Sequence, residues 1–151
     1  KHKINVIIFR LFNVYGPGQN LNNKRQGMLK IYISQLLIGN KLIVKGSLKR
    51  FRDFIYIDDV VDAWFAALKN EDAVNNKINV GSGIKTTVED LLKKIMQISG
   101  IDSYEVISGT PCDQKGIYSD SKKSKELLNM KETISLDEGL NKFYNWAKNN
   151  I

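Results

Sequence analysis

The feature that most constrains this chain is its opening apolar run, Ile4, Val6, Ile7, Ile8 and Phe9, continued by Leu11 and Phe12. A half-solvated strand would alternate apolar with polar residues, and an amphipathic helix would repeat every three or four. A nearly continuous run reads instead as a strand over 3–12 buried on both faces, the habit of parallel sheets. Parallel neighbours cannot be joined by a hairpin. They need long crossovers, usually helices, so the rest of the chain should alternate strand with helix. The basic start, Lys1-His2-Lys3, raises the possibility of a secretory leader. The apolar run is too short for one, leads into Arg10 and has no small-residue cleavage site, so a strand is expected.

The alternation is there. Asn13-Val14-Tyr15-Gly16-Pro17-Gly18-Gln19-Asn20 is turn-rich, and polar residues to Gln26 extend it as a loop at a strand's carboxyl end. In open α/β sheets that is where ligands bind. Met28 to Ile38 has helical periodicity, with Gly39-Asn40 as its C-cap. Leu42-Ile43-Val44 is a short strand, and Ile78-Asn79-Val80 is another, reached through a polar linker from Asn70 to Lys77. Thr86 and Glu89 have the spacing of a capping box before a helix that Gly100 closes, and Ser135 with Glu138 repeats it before Leu136 to Ala147. Tyr104 to Ile107 reads as a strand, Gly109 to Gly116 as a loop, and Ser119 to Leu128 as a short basic helix. The fold class is α/β.

Arg52 to Leu68 carries the densest signal. Phe54-Ile55-Tyr56-Ile57 is a β-branched and aromatic run that crosses Asp58 and Asp59 into a helix. Val61, Trp64, Phe65 and Leu68 recur at helical spacing, which predicts a packed stripe. Asp58 or Asp59 is the expected N-cap, where the helix dipole also favours negative charge. Capping and solvation account for Asp58, Asp59 and Asp62 better than paired acid/base or metal chemistry. Arg52 is a permanently charged fork able to grip a phosphate through two hydrogen bonds.

At 151 residues the chain suffices for one domain with a real core. No apolar stretch reaches the length of a transmembrane helix. One cysteine, Cys112, excludes an internal disulfide and suits a reducing cytoplasm. One histidine, His2, leaves no histidine-based metal site or triad, and no metal is expected. The net charge of +7 raises a nucleic-acid reading, but Lys and Arg are scattered. They cluster only at Lys122, Lys123 and Lys125, which read as a solvated helix face.

Three motifs were candidates for chemistry. Gly81-Ser82-Gly83 between strand and helix resembles the start of a dinucleotide loop, but position 86 is Thr where a third glycine is needed, so a tight turn is expected. Tyr-x-x-x-Lys occurs at Tyr118 with Lys122 and at Tyr144 with Lys148. Only on one helix face could the ammonium lower the phenol's pKa. Tyr118 precedes its helix and Tyr144 belongs to an apolar face, so neither pair is assigned a catalytic role. Asn13, just past the buried strand, can equally hydrogen-bond a ligand or stabilise the turn.

Together these stretches resemble the C-terminal half of an extended short-chain dehydrogenase/reductase of the NAD-dependent nucleotide-sugar epimerase/dehydratase family. Arg10 to Gly18, Arg52 to Trp64, Ile78 to Gly83, and Asp113 to Leu128 followed by Ser135 to Trp146 carry the match, in order. The resemblance implies that residues 1–151 form the substrate-binding portion, with the last strands of a Rossmann-type parallel sheet and without the N-terminal dinucleotide-binding half. It implies a nucleotide-diphospho-sugar substrate and NAD as cofactor of the intact enzyme, whose hydride exchange passes through a keto-sugar. UDP-glucose 4-epimerase is the expected activity, with a dTDP-glucose 4,6-dehydratase or a non-catalytic sugar-nucleotide module as alternatives.

The same resemblance assigns residues. Asn13 would contact the substrate diphosphate and Arg52 would clamp it. Leu11 and Val14 would lie beside the nicotinamide. Ile43 to Lys45 would border the nucleotide base and Asp113 would reach the ribose. The family often has an arginine three residues before that aspartate, where this chain has Thr110, and Lys115 is the substitute cation. Some members have Asn where this chain has Gly27. With no glycine-rich loop and no catalytic Tyr-Lys pair, the chain by itself is expected to be a catalytically inactive fragment. Strands cut from their sheet leave bare edges, so a homodimer is expected.

Overall fold

The computed structural model describes residues 3–23, 26–39, 41–109, 113–130 and 132–151. Thr110, Cys112 and the Asn40 of the expected C-cap lie outside them. The described chain is α/β. Strands β1 (Ile8–Leu11) and β2 (Asn13–Tyr15) precede helix α1 (Met28–Gly39), then β3 (Ile43–Lys45), β4 (Phe51–Arg52), β5 (Phe54–Tyr56) and α2 (Ile57–Leu68). There follow β6 (Lys77–Val80), β7 (Thr86–Thr87), α3 (Val88–Ser99), β8 (Glu105–Ile107), α4 (Lys122–Leu128) and α5 (Leu136–Lys148). β1 pairs with β6, β2 with β5 and β3 with β8, all parallel; the small β4–β7 pair is antiparallel.

The expected first strand is interrupted because it changes partner. The Ile8 and Phe12 amides donate to Asn76 and Val80 on one side, and the next amide, Asn13, donates to the Asp53 carbonyl on the other. Successive residues point to opposite edges, so β6 and β5 flank one extended segment. On the β5 side, β1 itself has no strand partner among the described residues.

β5 is the wall between two cores. Its residues are all buried, and the two-residue period sends Phe54 and Tyr56 to one side and Ile55 to the other. On the first side Tyr15, α1, α3 and α5 pack around Leu29, Ile33, Leu92, Ile95, Leu140 and Phe143. The Tyr15 ring makes edge contacts with Tyr56 at 5.5 Å and Phe143 at 6.4 Å between centroids. On the other side α2, α4 and β6 enclose Ile55, Val60, Ile78, Val80 and Leu128.

Four local expectations are corrected. The run over 3–12 is not buried on both faces: Ile4, Val6, Ile8 and Leu11 are exposed, because only one edge and one face of β1 are covered by described residues. In α2 the stripe Val61, Trp64, Phe65 and Leu68 faces outward, with Leu68 78% exposed, while Val60, Ala63 and Ala67 face the core. The small residues win that side because they let the helix approach the sheet closely. α2 is thus apolar on two faces, a pattern of helices covered on both sides.

The α2 cap also differs. β5 runs straight into the helix, the N-cap position is Tyr56, and no side chain caps it. Asp59 instead accepts the Ile134 amide at 3.2 and 3.1 Å on its two oxygens, tying α2 to the segment before α5. The capping box of α3 falls one residue later than expected. Thr86 is buried and paired with Arg52 in β7, so Thr87 takes the Asp90 amide at 3.0 Å. Ser135 does cap α5, accepting from the Glu138 amide at 3.2 Å.

Burial raises the pKa of Asp59, with the Ile134 hydrogen bond opposing it. A carboxyl whose folded pKa is raised favours folding when protonated, so its contribution is full at acid pH and is lost as pH rises through the folded value. Relative to wild type, Asp59→Asn should therefore gain stability as pH climbs out of the ordinary aspartate range, then level off. Urea unfolding midpoints of both proteins across that range check this.

Candidate functional site

The site is assembled around the buried side chain of Asp53, which is 0% exposed. Its Oδ1 accepts from the Ser82 amide at 2.9 Å and the Ser82 hydroxyl at 2.6 Å. Its Oδ2 accepts from the Gly83 amide at 3.0 Å, and from the Ser119 amide at 2.9 Å and hydroxyl at 2.6 Å. The Gly81-Ser82-Gly83 turn is therefore a clasp on a carboxylate of its own chain. Glycine is needed at 81 because a Cβ there would lie 2.6 Å from Asp53 Oδ2.

The main chain of Asp53 holds Asn13. Its carbonyl accepts both the Asn13 amide and Asn13 Nδ2, each at 3.0 Å. Next to it, Arg52 Nη1 donates to the Phe51 carbonyl at 2.8 Å, and Nη1 and Nη2 donate to the Gln114 carbonyl at 3.3 and 3.4 Å. The two residues expected at a diphosphate are thus held at one strand start, each by backbone. The Asn13 side chain ties β2 to the start of β5, 40 residues on, rather than bonding within its own turn.

The other expected contacts line up beyond Arg52. The segment 113–116 runs along β4: the Lys115 carbonyl accepts the Phe51 amide at 3.1 Å, and Gly116 bridges Phe51. At its start the Asp113 carboxylate is paired with Arg50 and lies against Gly46, just past Lys45. Lys45 and Asp113 are therefore brought together at that turn, Ile43 lies two residues back along β3, and the Lys115 side chain is exposed. Leu11, paired with Val80, is exposed, and Val14, paired with Ile55, is half-buried against the second core.

A small cavity under the start of α1 adjoins Asn13 and includes Gln19, Gly27 and Lys30. Gln19 Nε2 donates to the Val14 carbonyl at 3.3 Å, leaving the buried Oε1 without a partner among the described residues. Lys30 is buried, its ammonium bonded to the Asn23 carbonyl, and burial lowers its pKa. Gly27 has φ +80°, a conformation that glycine favours and asparagine tolerates next. Asp53, Arg50, Gln19 and Lys30 were all missed by sequence reasoning. Asp53 alone had a signal: a charged residue abutting the apolar run of β5.

Tyr118 lies before α4 and is exposed, and Lys148 Nζ sits over the Tyr144 ring at 5.4 Å. Lys122, Lys123 and Lys125 form the exposed face of α4. Among the described residues no cluster of three His, Cys, Asp or Glu could hold a metal, and no helix is long and apolar enough to cross a membrane.

This architecture, parallel strand pairs joined by helices, is that of the C-terminal portion of Rossmann-type epimerase folds. The chain belongs to the NAD dependent epimerase/dehydratase family, whose model matches residues 1–81. It is similar to the UDP-glucose 4-epimerase of Thermotoga maritima solved with UDP-glucose, at 31% identity and TM-score 0.86, covering 94% of this chain and 45% of that one. It is similar to the UDP-glucuronic acid 4-epimerase of Bacillus cereus solved with UDP-glucuronic acid and NAD, at 30% identity and TM-score 0.82, covering 96% and 46%. The dTDP-L-rhamnose 4-epimerase of Burkholderia thailandensis is 33% identical over 92% of this chain and 39% of its own length. The chain thus spans less than half the length of these relatives.

Replacing Asp53 by Ala would leave the Ser82, Gly83 and Ser119 amides without their acceptor. Each stranded donor costs about 1–3 kcal/mol. Asp53→Ala should lose at least about 3 kcal/mol in urea unfolding, and Asp53→Asn, which retains one acceptor oxygen, should lose less.

Proposed function

We propose that this chain is the nucleotide-diphospho-sugar-binding part of an NAD-dependent sugar epimerase, acting as a UDP-glucose 4-epimerase does. One observation carries the reading: Asn13 is bonded to the Asp53 carbonyl and the preceding Arg52 to the Gln114 carbonyl, next to the Asp113 that Arg50 ties to Lys45. A row of amide, guanidinium and carboxylate suits an elongated ligand with an anionic middle and a hydroxylated end. Arg52 neutralises diphosphate charge, Asn13 orients it, and Asp113 accepts from a ribose hydroxyl, with Ile43 and Lys45 along the base and Lys115 as a second cation. NAD, when bound, would supply the hydride acceptor; Leu11 and Val14 would present their apolar surfaces to its ring. No residue of this chain is assigned a catalytic role. The dTDP-sugar relative supports keeping dTDP-glucose as a second ligand. A binding module without catalysis has the same ligand requirements.

Calorimetry with UDP-glucose and dTDP-glucose tests this. Arg52→Ala should weaken the preferred ligand by about 10- to 100-fold, or about 1.4–2.8 kcal/mol. Equal affinities would remove the clamp.

The outward stripe of α2 and the bare edge of β1 are proposed to receive the cofactor-binding half, a parallel strand whose right-handed crossover brings its helix beside Trp64. The Phe9 ring already packs against Trp64 at a tilt of 59°, their centroids 4.8 Å apart. Alone, the chain is proposed to cover this face with a second copy. Light scattering should find wild type associated and Phe65→Glu/Leu68→Lys monomeric, with folding stability changed by no more than about 0.5 kcal/mol because both side chains are exposed.

A further inference from the structure

Arg50 is a charged group that neither the ligand contacts above nor the two cores account for. Its side chain is only 11% exposed. Nε donates to the Ser47 carbonyl at 3.0 Å, Nη2 to the Lys45 carbonyl and Nη1 to Asp113 Oδ2. Its own amide bonds the Ser47 carbonyl at 3.3 Å, and its carbonyl takes the Val88 amide at 2.8 Å, anchoring the stem to the start of α3. One planar fork therefore joins the end of β3, the turn after it and a segment 63 residues further along the chain.

We propose that Arg50 is a positioning residue for the nucleoside end of the ligand. The inference rests on the nucleotide reading above. Arg50 engages one oxygen of Asp113 and turns the carboxylate, so that Oδ1, which has no partner among the described residues, is presented to a ligand hydroxyl. It holds Lys45 in the same frame, which sets the spacing between the base-bordering strand and the ribose acceptor. The turn leaves no slack for another arrangement. A Cβ at Gly46 would lie 3.1 Å from Asp113 Oδ2, and one at Gly109 would lie 2.9 Å from the Gly46 Cα. Lysine cannot replace the fork, because one ammonium cannot meet three acceptors set in the guanidinium plane.

The test is calorimetry with UDP and with inorganic pyrophosphate on wild type, Arg50→Met, Arg50→Lys and Asp113→Asn, each at a temperature where unfolding curves show it folded. Positioning predicts that both Arg50 variants and Asp113→Asn lose at least about tenfold in UDP affinity while pyrophosphate affinity is unchanged, and that Arg50→Lys gives no rescue. A merely structural role would weaken UDP and pyrophosphate alike, or move only the unfolding midpoint; either result overturns the proposal. Wild type that binds UDP no better than Arg50→Met removes Arg50 and leaves the nucleotide reading standing. Wild type that binds neither compound removes both. Should Arg50→Met fail to fold, the same selective loss in Asp113→Asn supports the proposal, and its absence refutes it.

Discussion

A buried carboxylate is tolerable only when its charge is met by donors, and Asp53 meets five. Those donors come from the turn after β6 and from the segment before α4, so one side chain closes three distant pieces of chain on each other. Because its carbonyl simultaneously holds Asn13, the same residue transmits that closure to the start of β2. The packing below and the polar row above share a single anchor. A shift in the 81–83 turn cannot occur without moving the residue next to Arg52.

The second organising element is β5. A strand buried on both faces has no solvent side, so its period of two sorts side chains between two cores. Phe54 and Tyr56 serve one core and Ile55 the other. The polar residues that precede the strand, Arg50, Arg52 and Asp53, fall at the rim where the two cores meet. That is why a short stretch holds so much of the site: the chain must leave the wall there, and the rim is where backbone acceptors remain to fix charged side chains.

Much of this could be read in the residues. The α/β alternation, most element positions and the grouping of Asn13, Arg52 and Asp113 through motif resemblance all have local signatures: periodicity, turn residues, a charged fork before an apolar run. Ser135 and Gly100 cap as expected, but the N-cap of α3 came out one residue off, since Thr86 was claimed by a β-pair that no pattern announced. The stripe of α2 was misread for a deeper reason. Helical spacing identifies an apolar face but says nothing of which of two apolar faces a neighbour will cover, and here small Ala63 and Ala67 fit the sheet better than Trp64 and Phe65.

The sequence by itself determined the fold class, the order of elements and the family pattern, because these depend on periodicity and on side-chain chemistry within short windows. Only the tertiary structure decided that Asp53 is the anchor, that Arg50 holds Asp113, and that α2 keeps its largest apolar side chains outward. Each of these depends on a contact between residues far apart in the chain, 29, 63 and 66 positions for the polar ones. A hydrogen bond at such separation leaves no periodic trace, since either partner would look the same with a different neighbour opposite.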